Sequence, residues 1–354
     1  MTDAHQHALE ELTSASGPLT ADGERSTLRN PSWWRQGPDG PEPRAGRDRL
    51  HERVLQEFRD AHPAVVQDRQ AIVLAGPPGA GKSSSLDDVV RGQGSSQEQW
   101  LVINSDDFKD ALLDEALRDG SYESWIKGPE VRAYEAQGHE FQPREFASLV
   151  HGESGLLAQQ ATRDALERGD RVVIDGTLSH QASADRLMGQ LRDAGYSVTV
   201  VDVECTQAQS EQRALGRWRS GREEAATGTT RTEQDARLGG RWVPPAFARS
   251  LFQNEDGRSS CAHTVDHVEQ AHGHRTVRYR LPEGEAAPRL VSDSASRTSP
   301  AGPASDVAQV RGARGSAFQQ PPSAAVQRAT GRPGQPPTRQ TDRPGPRRDG
   351  AVER

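Results

Sequence analysis

Ala71-Ile72-Val73-Leu74-Ala75-Gly76-Pro77-Pro78-Gly79-Ala80-Gly81-Lys82-Ser83 decides how this chain folds. Its five leading apolar residues read as a buried strand. The next eight match G-x-x-x-x-G-K-[ST] at every fixed position. Ser84-Ser85-Leu86-Asp87-Asp88-Val89-Val90 then reads as the start of a helix. In a strand–loop–helix of this kind the glycines let backbone N–H groups turn inward around phosphate oxygens. The helix N-terminus adds its partial positive charge. Gly76, Pro77, Pro78, Gly79, Ala80, Gly81, Lys82, Ser83 and Ser84 are therefore the expected nucleotide cradle. Lys82 would reach the β- and γ-phosphates, and the Ser83 hydroxyl would ligate Mg²⁺. The motif predicts binding of ATP with Mg²⁺.

Outward from this loop, strand-like and helix-like stretches alternate. Arg49 to His62 reads as an amphipathic helix with Leu50, Val54, Leu55 and Phe58 on one face. Trp100–Ile103, Arg171–Ile174 and Ser197–Val203 are short, apolar and β-branched. Gly155–Arg168 and Ala182–Ala194 are helical, each ending near a glycine that suits a C-cap. Strands apolar enough to be buried on both faces, alternating with helices, predict an α/β three-layer sandwich with a mainly parallel sheet. His263–Val268 and Arg275–Leu281 alternate polar and apolar residues and read as an edge strand or hairpin.

Composition limits how much of the chain joins that sandwich. Only 32% of residues are hydrophobic and 5% aromatic, and mean hydropathy is −0.83, all low for a fully folded chain. Three regions are expected: a poorly ordered segment at 1–45, a folded domain at 46–281, and a disordered Pro/Gly/Arg-rich tail at 282–354. Within the first, Trp33-Trp34 should find something to pack on. The net charge of −7 argues against a nucleic-acid partner. No apolar stretch reaches the roughly 20 residues of a membrane span. With only Cys205 and Cys261 and no leader-like N-terminus, a cytoplasmic setting is expected.

In an open α/β sheet the site lies at the carboxyl ends of the strands. One strand is followed by Asn104-Ser105-Asp106-Asp107-Phe108-Lys109, another by Asp175-Gly176-Thr177. Asp106, Asp107 and Asp175 are candidates for holding Mg²⁺ or for orienting and deprotonating an acceptor hydroxyl. Arginines that neutralise a transferring phosphate are expected in Gln212–Arg219 and in Gly239-Gly240-Arg241-Trp242-Val243-Pro244. The aromatics Tyr122, Trp125, Tyr134, His139 and Phe141 are either a base-stacking surface or core. Cys261, His263, His267, His272 and His274 fall close together, but apart from His263 and His267 no zinc-ligand pairing recurs, so Mg²⁺ is the only metal expected.

These motifs together resemble the zeta-toxin family of P-loop kinases over about residues 70–250. The resemblance implies the fold of nucleoside-phosphate kinases and phosphorylation of the 3′-hydroxyl of UDP-N-acetylglucosamine. It implies Asp106 as general base, with Asp107, Lys109, Asp175 and Thr177 on the sugar substrate. The family usually carries Glu at the position of Asp175, one methylene longer. It also implies that Arg241 and either Arg213 or Arg217 close over the triphosphate, joining Lys82 in catalysis. A small antitoxin blocking the nucleotide site is the implied partner. Two other readings fit the residues: a P-loop kinase with a different hydroxyl acceptor, and a non-catalytic nucleotide-dependent regulator.

Overall fold

Residues at 71, 73 and 75 turn to one face of their strand and those at 72 and 74 to the other, and both sets are buried. That double burial dictates a layer of helices on each side. The computed structural model describes residues 2–297 except Asp39, and the rest of the tail expected to be disordered lies outside the described residues. In chain order the elements are α1 (Thr2–Leu12), β1 (Trp34–Gly37), β2 (Gly40–Pro43), α2 (Ala45–Asp60), β3 (Gln70–Ala75) and α3 (Lys82–Gly92). Then come β4 (Leu101–Asn104), α4 (Ser105–Asp119), α5 (Pro129–Glu135), α6 (His151–Arg168), β5 (Val172–Asp175), α7 (Gln181–Asp193) and β6 (Ser197–Glu204). The described part closes with α8 (Gln207–Thr227), α9 (Glu233–Leu238), α10 (Pro245–Ser250), α11 (Ser260–His272), β7 (Arg275–Arg280) and β8 (Arg289–Asp293).

The main sheet runs β4-β5-β3-β6-β7-β8, with the first five strands parallel and β8 antiparallel at the edge. One face packs Ala71, Val73, Leu101 and Val172 against Val54, Leu112, Leu157 and Met188 of the helices. The other packs Ile72, Leu74, Val173 and Val201 against Leu86, Val89 and Val90 of α3. This is the expected three-layer α/β sandwich with its mainly parallel sheet.

Three expectations need correction. The described residues of 1–45 are not without structure: they carry α1 and the β1–β2 hairpin. Few apolar residues are spent there, but the large ones are used. Leu9, Leu12 and Leu19 are buried, Trp34 is buried, and Arg47 lies 4.2 Å over the Trp33 ring. Second, 263–268 is no strand but part of α11. Cys261, Ala262, Val265 and Val268 form a helical stripe buried against the sheet, and Gly273 ends the helix in the left-handed conformation. Third, the described chain continues past 281 into β8, whose pairing to β7 supplies backbone hydrogen bonds that its exposed Leu290 and Val291 do not advertise.

α2 is tied to α6 by a buried ionic cluster. Glu153, fully buried, accepts from Arg47 Nη2 at 2.7 Å and pairs with His51 Nε2 at 2.6 Å. Burial opposes its charge, but hydrogen bonds from His51 and Arg47 outweigh that and bring the carboxyl from 4.5 down to about 2. The resulting stabilisation is complete above about pH 4.5 and lost as pH falls from there toward 2, on the order of 3 kcal/mol in all. Glu153→Gln should therefore be destabilised by about 3 kcal/mol or more at pH 7, because Arg47 is left buried and unpaired. The gap to the native protein should narrow below pH 4. Urea unfolding at pH 7 and pH 3 checks both.

Candidate active site

Strand register builds the site. Leu74 lies opposite Asp175, Asn104 opposite Asp175, and Ala75 opposite Asp202, so the chain leaves β3, β4, β5 and β6 along one edge. The Gly76–Ser83 loop leaves β3 at the centre of that edge. Gly79 has φ of +77°, and a Cβ there would stand 2.9 Å from the Arg213 Cβ, so α8 presses on the loop. Ser210 Oγ, one turn earlier on α8, donates to the Pro78 carbonyl at 2.7 Å. Lys82 opens α3 and rests its ammonium on the Gly76 carbonyl at 3.1 Å, a weak partner that a phosphate would replace. Ser83 and Ser84 are exposed on the first turn.

Asn104 organises the acidic side. Its carbonyl oxygen caps α4 by accepting from the Asp106 N–H at 2.9 Å, and its amide donates to Asp175 Oδ2 at 3.1 Å. Asp106 Oδ1 pairs with Lys109 Nζ at 2.8 Å and with Arg241 Nη1 at 3.3 Å. Burial works against its ionisation, yet Arg241, Lys109 and Arg217 overcome it and hold the carboxyl at about 2. Asp106 is thus an anion at any working pH.

Asp107 is exposed on its outer side and crowded by protein on the other. That desolvation, with the Asp110 carboxylate beside it, pushes it up to about 6. Asp175 is raised by burial, with Lys82 pulling it down and Asp106 pushing it up. A buried carboxylate with too little compensating charge suits a cation.

The arginines separate. Arg217 is exposed to the cleft and feels desolvation, Arg241, Asp106 and Asp175 in its charge balance. Arg213 stands against the P-loop, donates to the Ala286 carbonyl at 2.9 Å, and keeps a buried Nη1 with no hydrogen-bond partner. Thr177 contributes its carbonyl to the Gly76 N–H at 3.1 Å, while its hydroxyl meets Ser179 at 3.3 Å. Leu178, next in line, has φ of +51°, a strained backbone for a branched side chain.

The structure brings Lys82, Asp106, Asp175, Arg217 and Arg241 to one cleft. Lys109, expected on the substrate, is engaged by Asp106. Of the aromatics singled out in 108–150, Tyr122 is core, and the others are engaged within the fold while half-buried: Phe141 packs on His5, Trp125 on Trp33, His139 on Tyr134, and Tyr134 donates to Glu11. The histidines of α11 are also spoken for: His263 pairs with Asp256, and His267 and His272 share Asp185. Cys205 and Cys261 are free and buried. Asn104, Asp110 and Arg144 were not anticipated. Asn104 follows a strand directly and Asp110 is one helical turn past Asp106, which are usable signals; Arg144 offers none.

Fold and site define a P-loop nucleotide-binding protein built on a mainly parallel sheet. A protein-family model described as an AAA domain matches residues 72–239. Solved structures similar to this chain include the AvrRxo1-ORF1:-ORF2 complex, 16% identical over 80% of this chain and 73% of that one, with a TM-score of 0.47. The same pair with ATP is 16% identical over 73% and 76%, with a TM-score of 0.48. The PezAT chromosomal toxin–antitoxin system of Streptococcus pneumoniae is 14% identical over 72% of this chain and 85% of that one, with a TM-score of 0.45. No curated protein sequence matches. Among the described residues no helix is long and apolar enough to cross a membrane.

Lys82→Ala should weaken ATP binding about tenfold or more, the value of one charge-assisted contact, with an unchanged melting temperature. Calorimetric titration and a thermal melt check this.

Proposed function

We propose that the protein is an ATP-dependent phosphotransferase acting on a sugar hydroxyl, by resemblance the 3′-hydroxyl of UDP-N-acetylglucosamine. The observation that carries this is Asp106, an ionised carboxylate on the same rim as the P-loop, 3.3 Å from Arg241, whose buried Nη1 has no hydrogen-bond partner, and within the field of Arg217. A nucleotide switch uses the loop and one strand-end carboxylate for Mg²⁺, a part Asp175 can fill; a second carboxylate, Asp106, is what an acceptor hydroxyl needs.

Each residue has a role. The P-loop amides and Lys82 hold the triphosphate. Asp175 ends the strand beside β3, and Ser83 lies in the first turn of α3 just after the loop; their under-compensated carboxylate and hydroxyl would hold Mg²⁺. When bound, the ion would neutralise charge on the triphosphate. Arg241 and Arg217 neutralise the outer phosphate, and Arg213 backs the loop. Asp106 accepts the acceptor's hydroxyl hydrogen. At about 2 it is a weak base, so it orients the nucleophile and receives the proton late, as a loose transition state permits. By the same resemblance Asp107 and Thr177 would hold the sugar, and Asp175 would reach less far than the family's Glu. A small antitoxin over the nucleotide site belongs to the same proposal.

Asp106→Asn should lose transfer by about 10²- to 10⁴-fold while binding Mg·ATP as the native protein does. Equal losses of binding and transfer would overturn the assignment. The acceptor KM should fall as pH rises through about 6, where Asp107 becomes a carboxylate and a better hydrogen-bond acceptor. Asp107→Asn should flatten that profile, measured as initial rates from pH 5 to 8.

A further inference from the structure

Arg241 is not held by the phosphate site alone. Its Nη2 donates to Asp110 Oδ1 at 2.8 Å, while its buried Nη1 has no hydrogen-bond partner and lies 3.3 Å from Asp106 Oδ1. Asp110 is 5% exposed and sits four residues past Asp106, on the same face of α4. Behind it, all three guanidinium nitrogens of Arg144 are engaged by protein. Nε reaches both Asp110 oxygens at 3.1 Å, Nη2 reaches Oδ2 at 2.7 Å, and Nη1 divides between Asp235 at 2.7 Å and the Gly239 carbonyl at 3.0 Å.

We propose that Asp110, clamped by Arg144, is a positioning residue that aims the free edge of the Arg241 guanidinium at the outer phosphate of the bound triphosphate. The proposal rests on the reading of Arg241 as a phosphate-facing cation. Charges alternate along Asp235, Arg144, Asp110, Arg241 and Asp106. Arg144 compensates Asp110, so Asp110 can fix the direction of Arg241 without cancelling its charge. Asp110 also competes with Asp106 for the same guanidinium; without it, Arg241 would collapse onto Asp106 and occupy the carboxylate meant for the acceptor. The backbone before Arg241 leaves no other freedom. A Cβ on Gly240 would stand 2.2 Å from the Trp218 carbonyl, and Trp242 is buried against Trp218 and bonded to Thr13 Oγ1 at 3.1 Å. Arg144 fastens the same segment through Gly239. With the main chain fixed, the side-chain direction is set by Asp110.

A cation aimed at the outer phosphate distinguishes ATP from ADP, which can be read without any acceptor. The affinities of Mg·ATP and Mg·ADP are measured by calorimetry for the native protein, Asp110→Asn, Arg241→Ala and the double variant, with thermal melts. The native protein should prefer ATP. Asp110→Asn should lose about tenfold of that preference with ADP affinity unchanged, the scale of one charge-assisted hydrogen bond. In the Arg241→Ala background it should cost nothing further. An unchanged preference in Asp110→Asn, or a loss that multiplies with that of Arg241→Ala, overturns the positioning role. An unchanged preference in Arg241→Ala instead removes the reading beneath it. If Asp110→Asn does not fold, Asp110→Glu keeps the charge and moves the guanidinium by one methylene. It should lose the preference in the same way, and a folded Asp110→Glu with native preference overturns the proposal.

Discussion

The parallel register of β3 with β5 and β6 is the constraint on which the rest depends. It places Leu74 beside Asp175 and Ala75 beside Asp202, and β4 adds Asn104 opposite Asp175. A slip of one residue would turn every side chain of a strand to the opposite face. Both faces of this sheet are buried, so such a slip would break two packed layers at once. The same burial that stabilises the sandwich therefore fixes where the phosphate loop and the carboxylates meet.

Charge at that edge is distributed, and no single pair dominates. Asp106 is kept ionised by Arg241 and Lys109 against the cost of burial, whereas Asp107 and Asp175 are pushed toward their neutral forms. Neighbouring carboxylates driven in opposite directions take different roles, one a permanent anion, the others responsive to cations or pH. The N-terminal segment supports this from outside. Its His5 meets Glu145, which also receives Trp218 and Arg222, so α1 helps fix the surroundings of the Arg241 segment.

Much of this was legible in the amino-acid order because its chemistry is contiguous. The P-loop, the Asp106–Lys109 turn and Asp175–Thr177 each lie within a few residues of a strand end, where topology alone predicts a site. What was hidden depends on pairing across the chain. Arg144 meets Asp110 at a separation of 34 residues and Asp235 at 91, and Arg241 meets Asp110 at 131. Arg-rich stretches give no local sign of which guanidinium will be captured, so Arg213 and Arg217 looked alike until α8 was seen to face the loop with one and the cleft with the other. The N-terminal elements were missed because composition averages over a segment. A few buried residues, Leu9, Leu12 and Trp34, are enough to dock it. α11 was misread because six residues of alternation fit a strand, while the wider stripe from Cys261 to Val268 fits a helix.

The most direct measurement is a mass-spectrometric transfer assay on the native protein with Mg·ATP and a panel of nucleotide sugars, free sugars and nucleosides. The account predicts one added phosphoryl group on UDP-N-acetylglucosamine, dependent on ATP. ATP bound with no acceptor in the panel modified would contradict the phosphotransferase claim and leave a nucleotide-binding protein of another kind.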